Sequence, residues 1–153
     1  MDTVSIQVAG PDDMPVLLRH RRGMYRDMGY TADDALDRMQ AASESFLDSA
    51  MRDGSYHAWM VKVGERPAAS GGIHFVQWIP GCDDPGTRRA WVHGIYTEPE
   101  FRRRGLGRRL MECIVTWCRD NGCRAVLLHA TEQGRPIYES LGFRASNEMR
   151  LEL

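Results

Sequence analysis

Arg102, Gly105 and Gly107 form an Arg-x-x-Gly-x-Gly pattern inside the stretch from Glu98 to Leu110. These residue types at this spacing suit the capture of an anion. Two glycines let the main chain approach a ligand with no Cβ in between. They stand where an apolar helical period begins, carried by Leu110, Met111, Ile114, Val115 and Cys118. A helix starting there points its free N–H groups and the positive end of its dipole outward. A pyrophosphate is the ligand that such a helix mouth best accommodates. Arg102, Arg103, Arg104, Arg108 and Arg109 fall within eight positions around it. The same cluster also reads as a solvated helix start.

The elements that must position this mouth are legible in turn. Arg89 to Tyr96 reads as the strand before it, and Gly122 ends the helix after it. Upstream, Val4, Ile6 and Val8 alternate as a first strand. Pro11 and Asp12 open a helix bearing Met14, Leu17, Leu18, Tyr25 and Met28, and Gly29 closes it. His20, Arg21 and Arg22 on that helix also read as a solvated face. A second helix follows Thr31 with Leu36, Met39, Phe46, Leu47 and Met51. Tyr56 to Val63 and Ala68 to Ile79 read as two strands around a turn at residues 64–67. The breaker-rich loop 80–86 is expected to be mobile. Ala125 to His129 reads as a strand buried on both faces, Pro136 to Leu141 as a short helix, and Met149, Leu151 and Leu153 as a last strand. The whole is a single α/β domain over residues 1–153 with a mixed sheet.

Composition narrows the function. With 153 residues, 42% hydrophobic and 27% charged, the chain has the make-up of one globular domain. A net charge of −1 argues against a nucleic-acid binder. No apolar run reaches the length of a membrane span, and the N-terminus lacks a signal pattern, so a cytoplasmic protein is expected. Cys82, Cys113, Cys118 and Cys123 have no zinc-ligand spacing and are expected to be reduced; no metal is expected.

This order of elements, with these residues, resembles the GNAT superfamily of acetyl-CoA-dependent N-acetyltransferases. The likeness covers essentially the whole chain. It rests on Arg102, Gly105 and Gly107, and on a second segment from Pro136 to Phe143 that matches a Tyr-x-x-x-Gly-Phe pattern through Tyr138, Gly142 and Phe143. It implies an α/β (α+β) fold: a mixed, mostly antiparallel sheet of six or seven strands with helices on both faces. It implies acetyl-CoA as cofactor, with the pyrophosphate on the backbone of Arg103, Arg104, Gly105, Leu106, Gly107 and Arg108. Arg102 belongs to the same motif. The arginine side chains could also meet the adenosine phosphate. The cofactor arm would lie along Ile95, Tyr96 and Thr97 like an added strand. Where the family often has an Asn, this chain has Thr131, a cofactor contact of shorter reach.

The resemblance also implies the reaction: acetyl transfer to a primary amine by direct attack in a ternary complex; the compact size of the chain favours a small amine over a protein tail. A lysine-like amine, with a pKa of about 10.4, must lose a proton first, whereas a thiol near 8.5 leaves with less help. Tyr138, by its place in the family pattern, is the acid for the leaving sulfur. The fourth strand carries no carboxylate to serve as base. His93 stands near the position of one, His129 at the end of the fifth strand is the rival, and a water relay is the third option. Arg21, Tyr25, Met28, Trp78 and Trp91 are the acceptor-site candidates. Homodimers are common in the family. A non-catalytic acyl-CoA sensor on the same fold is the alternative.

Overall fold

The computed structural model describes residues 2–153. Strand β1 (Val4–Ala9) leads through a 3-10 turn (Pro11–Asp13) into α1 (Met14–Asp27) and α2 (Asp33–Asp53). Strands β2 (Tyr56–Val63), β3 (Arg66–Gln77) and β4 (Arg88–Thr97) follow. A second 3-10 turn (Pro99–Phe101) precedes α3 (Leu106–Asp120), and β5 (Val126–Leu127) and α4 (Arg135–Ser140) complete the described elements. The sheet order is β1-β2-β3-β4-β5, antiparallel except for the parallel pair β4/β5.

Alternation decides which helix covers which face. Trp59, Val61, Ala69, Ile73 and Val92 meet Leu110, Met111 and Ile114 of α3, all three at 0% exposure. On the other face Ala58 and Met60 meet Leu17, while Met14, Leu18 and Leu47 join α1 to α2. Each large apolar side chain so buried contributes about 1.5–3 kcal/mol. Gly23 brings α1 directly onto β4: a Cβ there would lie 2.6 Å from the Tyr96 ring.

A bulge in β4 sets the geometry of the site. Gly72 pairs with His93 and Ser70 with Tyr96, so Gly94 and Ile95 together oppose Gly71. Gly94 takes φ +70, a value that favours glycine. His93 and Tyr96 both reach the α1 face, although they are three residues apart. β5 pairs with β4 only at Ala90↔Val126 and Trp91↔Leu127. Beyond Trp91 the two strands part, and the β5-side edge of β4 runs on without a strand partner.

Several expectations need correction. The sheet has five strands, not six or seven. The strand foreseen over Ala125 to His129 shrinks to Val126–Leu127, and β3 runs from Arg66 to Gln77 rather than Ala68 to Ile79. No ladder forms over Met149, Leu151 and Leu153, which are 93%, 82% and 115% exposed. Alternation is a local property, but a strand exists only beside a neighbour. The end of the loop 80–86 is braced by Arg89, which bonds the Asp84 and Gly86 carbonyls and lies 3.2 Å from the Asp84 carboxylate. The four cysteines are free, and no helix among the described residues is long and apolar enough to cross a membrane. Replacing Leu110 by Ala is expected to cost about 2–5 kcal/mol, read as a lower urea midpoint with an unchanged slope.

Candidate active site

The glycine mouth is open. Gly105, at φ +73, precedes α3, and no side chain caps that helix. Its first internal bond runs from the Arg109 N–H to the Gly105 carbonyl, at 3.1 Å. The amides of Leu106, Gly107 and Arg108 therefore have no carbonyl one turn back to bond. Arg103 also has a positive φ, 61°, which bends the approach into the mouth. Leu106 is buried and anchors the turn. A Cβ on Gly107 would lie 3.7 Å from Ile137 and 3.8 Å from the Thr97 hydroxyl, so α4 and the end of β4 flank the mouth.

The arginines around it divide into two groups. Arg102 holds the fold: it donates to the Thr97 carbonyl at 2.9 Å, pairs with Asp27 at 2.6 Å and lies over the Tyr96 ring. Arg108 pairs with Glu112 and bonds Ser140 on α4. Arg103 and Arg104 have no carboxylate partner among the described residues, and both are exposed beside the free amides.

Tyr138, on α4, is half-buried against Phe143, and a Cβ on Gly134 would collide with its ring at 2.8 Å. Burial pushes its phenol pKa above the usual value. Its hydroxyl has no hydrogen bond among the described residues. Thr131 acts locally. Its hydroxyl accepts the Gly134 N–H at 3.1 Å, and its carbonyl accepts that of Arg135. It thereby sets the start of α4.

On the α1/α2 face of β4 the acceptor candidates come partly together. His93 faces His74, with ring centroids 6.4 Å apart. Its pKa is lowered, first by the partial burial of its imidazole, then by Arg21, His74 and His129. A neutral His93 at pH 7 follows. The His129 ring packs at a tilt against Trp91, centroids 4.9 Å apart, and its Nε2 lies 2.9 Å from a Glu148 carboxylate oxygen in the C-terminal tail. Arg21 donates to Ser43 and Tyr25. Met28 caps the end of α1, and both it and Trp78 are largely exposed. The Trp78 N–H bonds the Thr87 carbonyl and closes the loop 80–86.

Four residues take roles that the sequence reading does not give them. His20 is fully buried, not part of a solvated face. Its Nδ1 is 2.7 Å from the Ser70 hydroxyl, and its Nε2 is 3.2 Å from a Glu98 oxygen, off the direction of a proper hydrogen bond. Burial lowers its pKa and outweighs the opposing pull of Glu98. Glu98 also binds Arg19 at 2.9 Å. Together they fasten α1 to the bulge, where the His20 ring meets Tyr96 at 5.3 Å. Residues 20, 70 and 98 share no local pattern, so no spacing rule could find them. His74, the neighbour of His93, was legible only through strand register.

The open helix mouth, the parted strands and the tyrosine beyond them lie within residues 19–143, which match a sequence model of the "Acetyltransferase (GNAT) family". Among solved structures, a GCN5-related N-acetyltransferase from Ralstonia eutropha JMP134 is 30% identical, with 99% of each chain covered and a TM-score of 0.92. A predicted acetyltransferase with acetyl-CoA from Clostridium acetobutylicum shares the fold at 21% identity, covering 99% of this chain and 96% of that one, with a TM-score of 0.87. Glucosamine 6-phosphate N-acetyltransferase of Trypanosoma brucei brucei is 38% identical over 63 residues, 40% of this chain and 43% of the relative. The match thus spans less than half of that enzyme. Family match and fold agree, and the chain belongs to the acetyltransferase (GNAT) family, with acetyl-CoA as its cofactor.

Proposed function

We propose that this protein transfers an acetyl group to a primary amine of a small molecule, by direct attack within a ternary complex. The uncapped amides at the start of α3, opening beside the unpaired edge of β4, support the reading most directly. Leu106, Gly107 and Arg108 would hold the cofactor's diphosphate through backbone N–H groups, with Arg103 and Arg104 adding charge. Ile95, Tyr96 and Thr97 would offer the edge along which an amide-bearing arm docks. When bound, acetyl-CoA supplies an activated acetyl group as a thioester.

The chain's own residues then manage protons and position. Neutral His93 has a lone pair with which to take the ammonium proton, directly or through water. The flanking Arg21 cation favours the neutral amine over the ammonium. Tyr138 keeps its proton at pH 7 and can offer it at Oη to the departing sulfur. A phenol above pKa 10 is a weaker acid than a thiol of about 8.5, so full transfer is uphill by roughly 2 kcal/mol or more. Tyr138 therefore assists chiefly as a hydrogen-bond donor. The missing carboxylate on β4 favours one other reading, an acyl-CoA sensor. Coenzyme binding without thiol release from any amine would select it.

Tyr138→Phe is expected to lower kcat by about 10- to 100-fold with acetyl-CoA affinity by calorimetry unchanged; an unaltered kcat would remove Tyr138 from the reaction. The pH dependence tests His93. Because its folded pKa lies below 6.5, the neutral base persists under mildly acidic conditions. The step in kcat/KM caused by its protonation should therefore fall below pH 6.5 and vanish in His93→Gln. A step that survives the substitution assigns the proton to another group.

The proposal includes a homodimer. An open groove of about 710 Å³ runs between α3 and β5 on one wall and the stretch after α4 on the other, lined by Val115, Val126, Leu141 and Phe143 among others. The exposed tail with Met149, Leu151 and Leu153 carries the alternation of a strand that could fill a partner's groove. Light scattering should give twice the 17.4 kDa chain mass, and Met149→Glu with Leu151→Glu should give the single mass. A wild-type monomer at working concentrations would refute the assembly.

A further inference from the structure

Helix α1 carries four arginines, and three of them are matched to acids. Arg19 pairs with Glu98, Arg22 with Asp37 at 2.8 Å, and Arg26 with Asp33 at 3.2 Å. Arg21 is the exception. It is half-buried, and among the described residues its guanidinium hydrogen-bonds only neutral oxygens: Nε donates to Ser43 at 3.1 Å and Nη2 reaches Tyr25 at 3.4 Å. It also lies over the Tyr25 ring, 5.3 Å from the centroid. Those contacts fix its direction without neutralising it. A guanidinium has five N–H donors in a planar fork, so most of them stay available.

Most acids of the surrounding helices are committed elsewhere, and neither Glu44 nor Asp53 of α2 pairs with Arg21. Asp27 is held by Arg102, Asp33 by Arg22 and Arg26, Asp34 by Arg38, and Asp48 by Arg52. The side chains nearest the cleft are instead basic or neutral: His74, His93, Tyr25, Tyr56 and Ser43. Burial pushes the Tyr56 phenol up to about 12, so it stays uncharged and cannot balance Arg21. A half-buried cation with no counter-ion is unfavourable unless a ligand supplies one.

From this we infer that the acceptor brings the missing charge: Arg21 is an anion clamp, and the substrate is a small amine that also carries a carboxylate or a phosphate group. The inference rests on the acetyltransferase reading of the same cleft. It sets this chain apart from an enzyme for polycationic amines, which would need acids where this cleft has Arg21 and histidines. With its anion held at Arg21, the acceptor can present its nitrogen toward His93.

Matched acceptor pairs test the idea: an amino acid against its methyl ester, and an amino-sugar phosphate against the parent amino sugar, followed by thiol release. The acidic member of at least one pair is expected to have the higher kcat/KM by about 10- to 100-fold, the range of one or two charge-assisted hydrogen bonds. Which pair shows it distinguishes carboxylate from phosphate. Arg21→Gln should bring that ratio to about one, and Arg21→Lys should restore part of it. Equal rates within both pairs, or an unchanged ratio in Arg21→Gln, would overturn the clamp. A readout independent of turnover is the imidazole NMR of His74 and His93 in the coenzyme-bound protein during titration with inorganic phosphate or acetate. Saturable shifts with either anion in the wild type that disappear in Arg21→Gln support the clamp, and their absence with both refutes it. Acetyl-CoA binding, measured alongside by calorimetry, shows separately whether the acetyltransferase reading itself has failed.

Discussion

The extra residue in β4 is the constraint on which the remaining architecture depends. A regular strand would keep its ladder with β5 along its full length and leave no opening. The bulge at Gly94 and Ile95 turns β4 away from β5 after two paired residues and keeps His93 and Tyr96 on one face. Every group of the candidate site takes its place from that divergence: the bare edge of β4, the helix mouth after it, and the imidazoles beside it. The buried His20, Ser70 and Glu98 contacts stand behind the bulge and hold α1 against it. A polar cluster in an apolar interior is costly unless its members satisfy one another, so its presence restricts how α1 can be placed.

The sheet divides the work between its two sides. The α3 side is dry, continuous and packed with large aliphatic groups. The α1/α2 side is less apolar, with histidines, tyrosines and arginines interleaved among smaller contacts. One side supplies stability and presents the helix terminus; the other can hold polar groups at limited cost because solvent reaches it. Arg102 joins the two, reaching from the glycine mouth to Asp27 at the end of α1.

What was legible in the residues, and what was not, follows from the range of each interaction. The mouth at Gly105 and Gly107 could be read because its meaning lies in consecutive residues: a left-handed position, free amides and an apolar period. Strand β1 was visible through alternation, β2 and β3 through the turn between them, and the helices through their faces. The place of the bulge was not, because Gly94 is one glycine among fifteen, and only pairing with β3 locates the extra residue. The last strand was misjudged because Met149, Leu151 and Leu153 alternate without a neighbour in their own chain to pair with. In the loop 80–86 the breakers suggest motion, but they do not reveal that Arg89, just beyond its end, reaches back to Asp84. His20 and Arg21 are adjacent in sequence, yet one is sealed in the core and the other reaches an opening. No composition rule distinguishes them; only the rotation of α1 against the sheet does.

Gly23 makes that rotation a matter of atomic clearance. With 2.6 Å between its missing Cβ and the tip of the Tyr96 ring, even alanine would force the ring or the helix to shift. His20 and Arg21 sit within one turn of it and would move together, one leaving the core and the other changing its aim. A lineage of such chains could therefore retune what it accepts by altering side chains along α1 while keeping the helix seated. Position 23 is the pivot that such drift must leave empty.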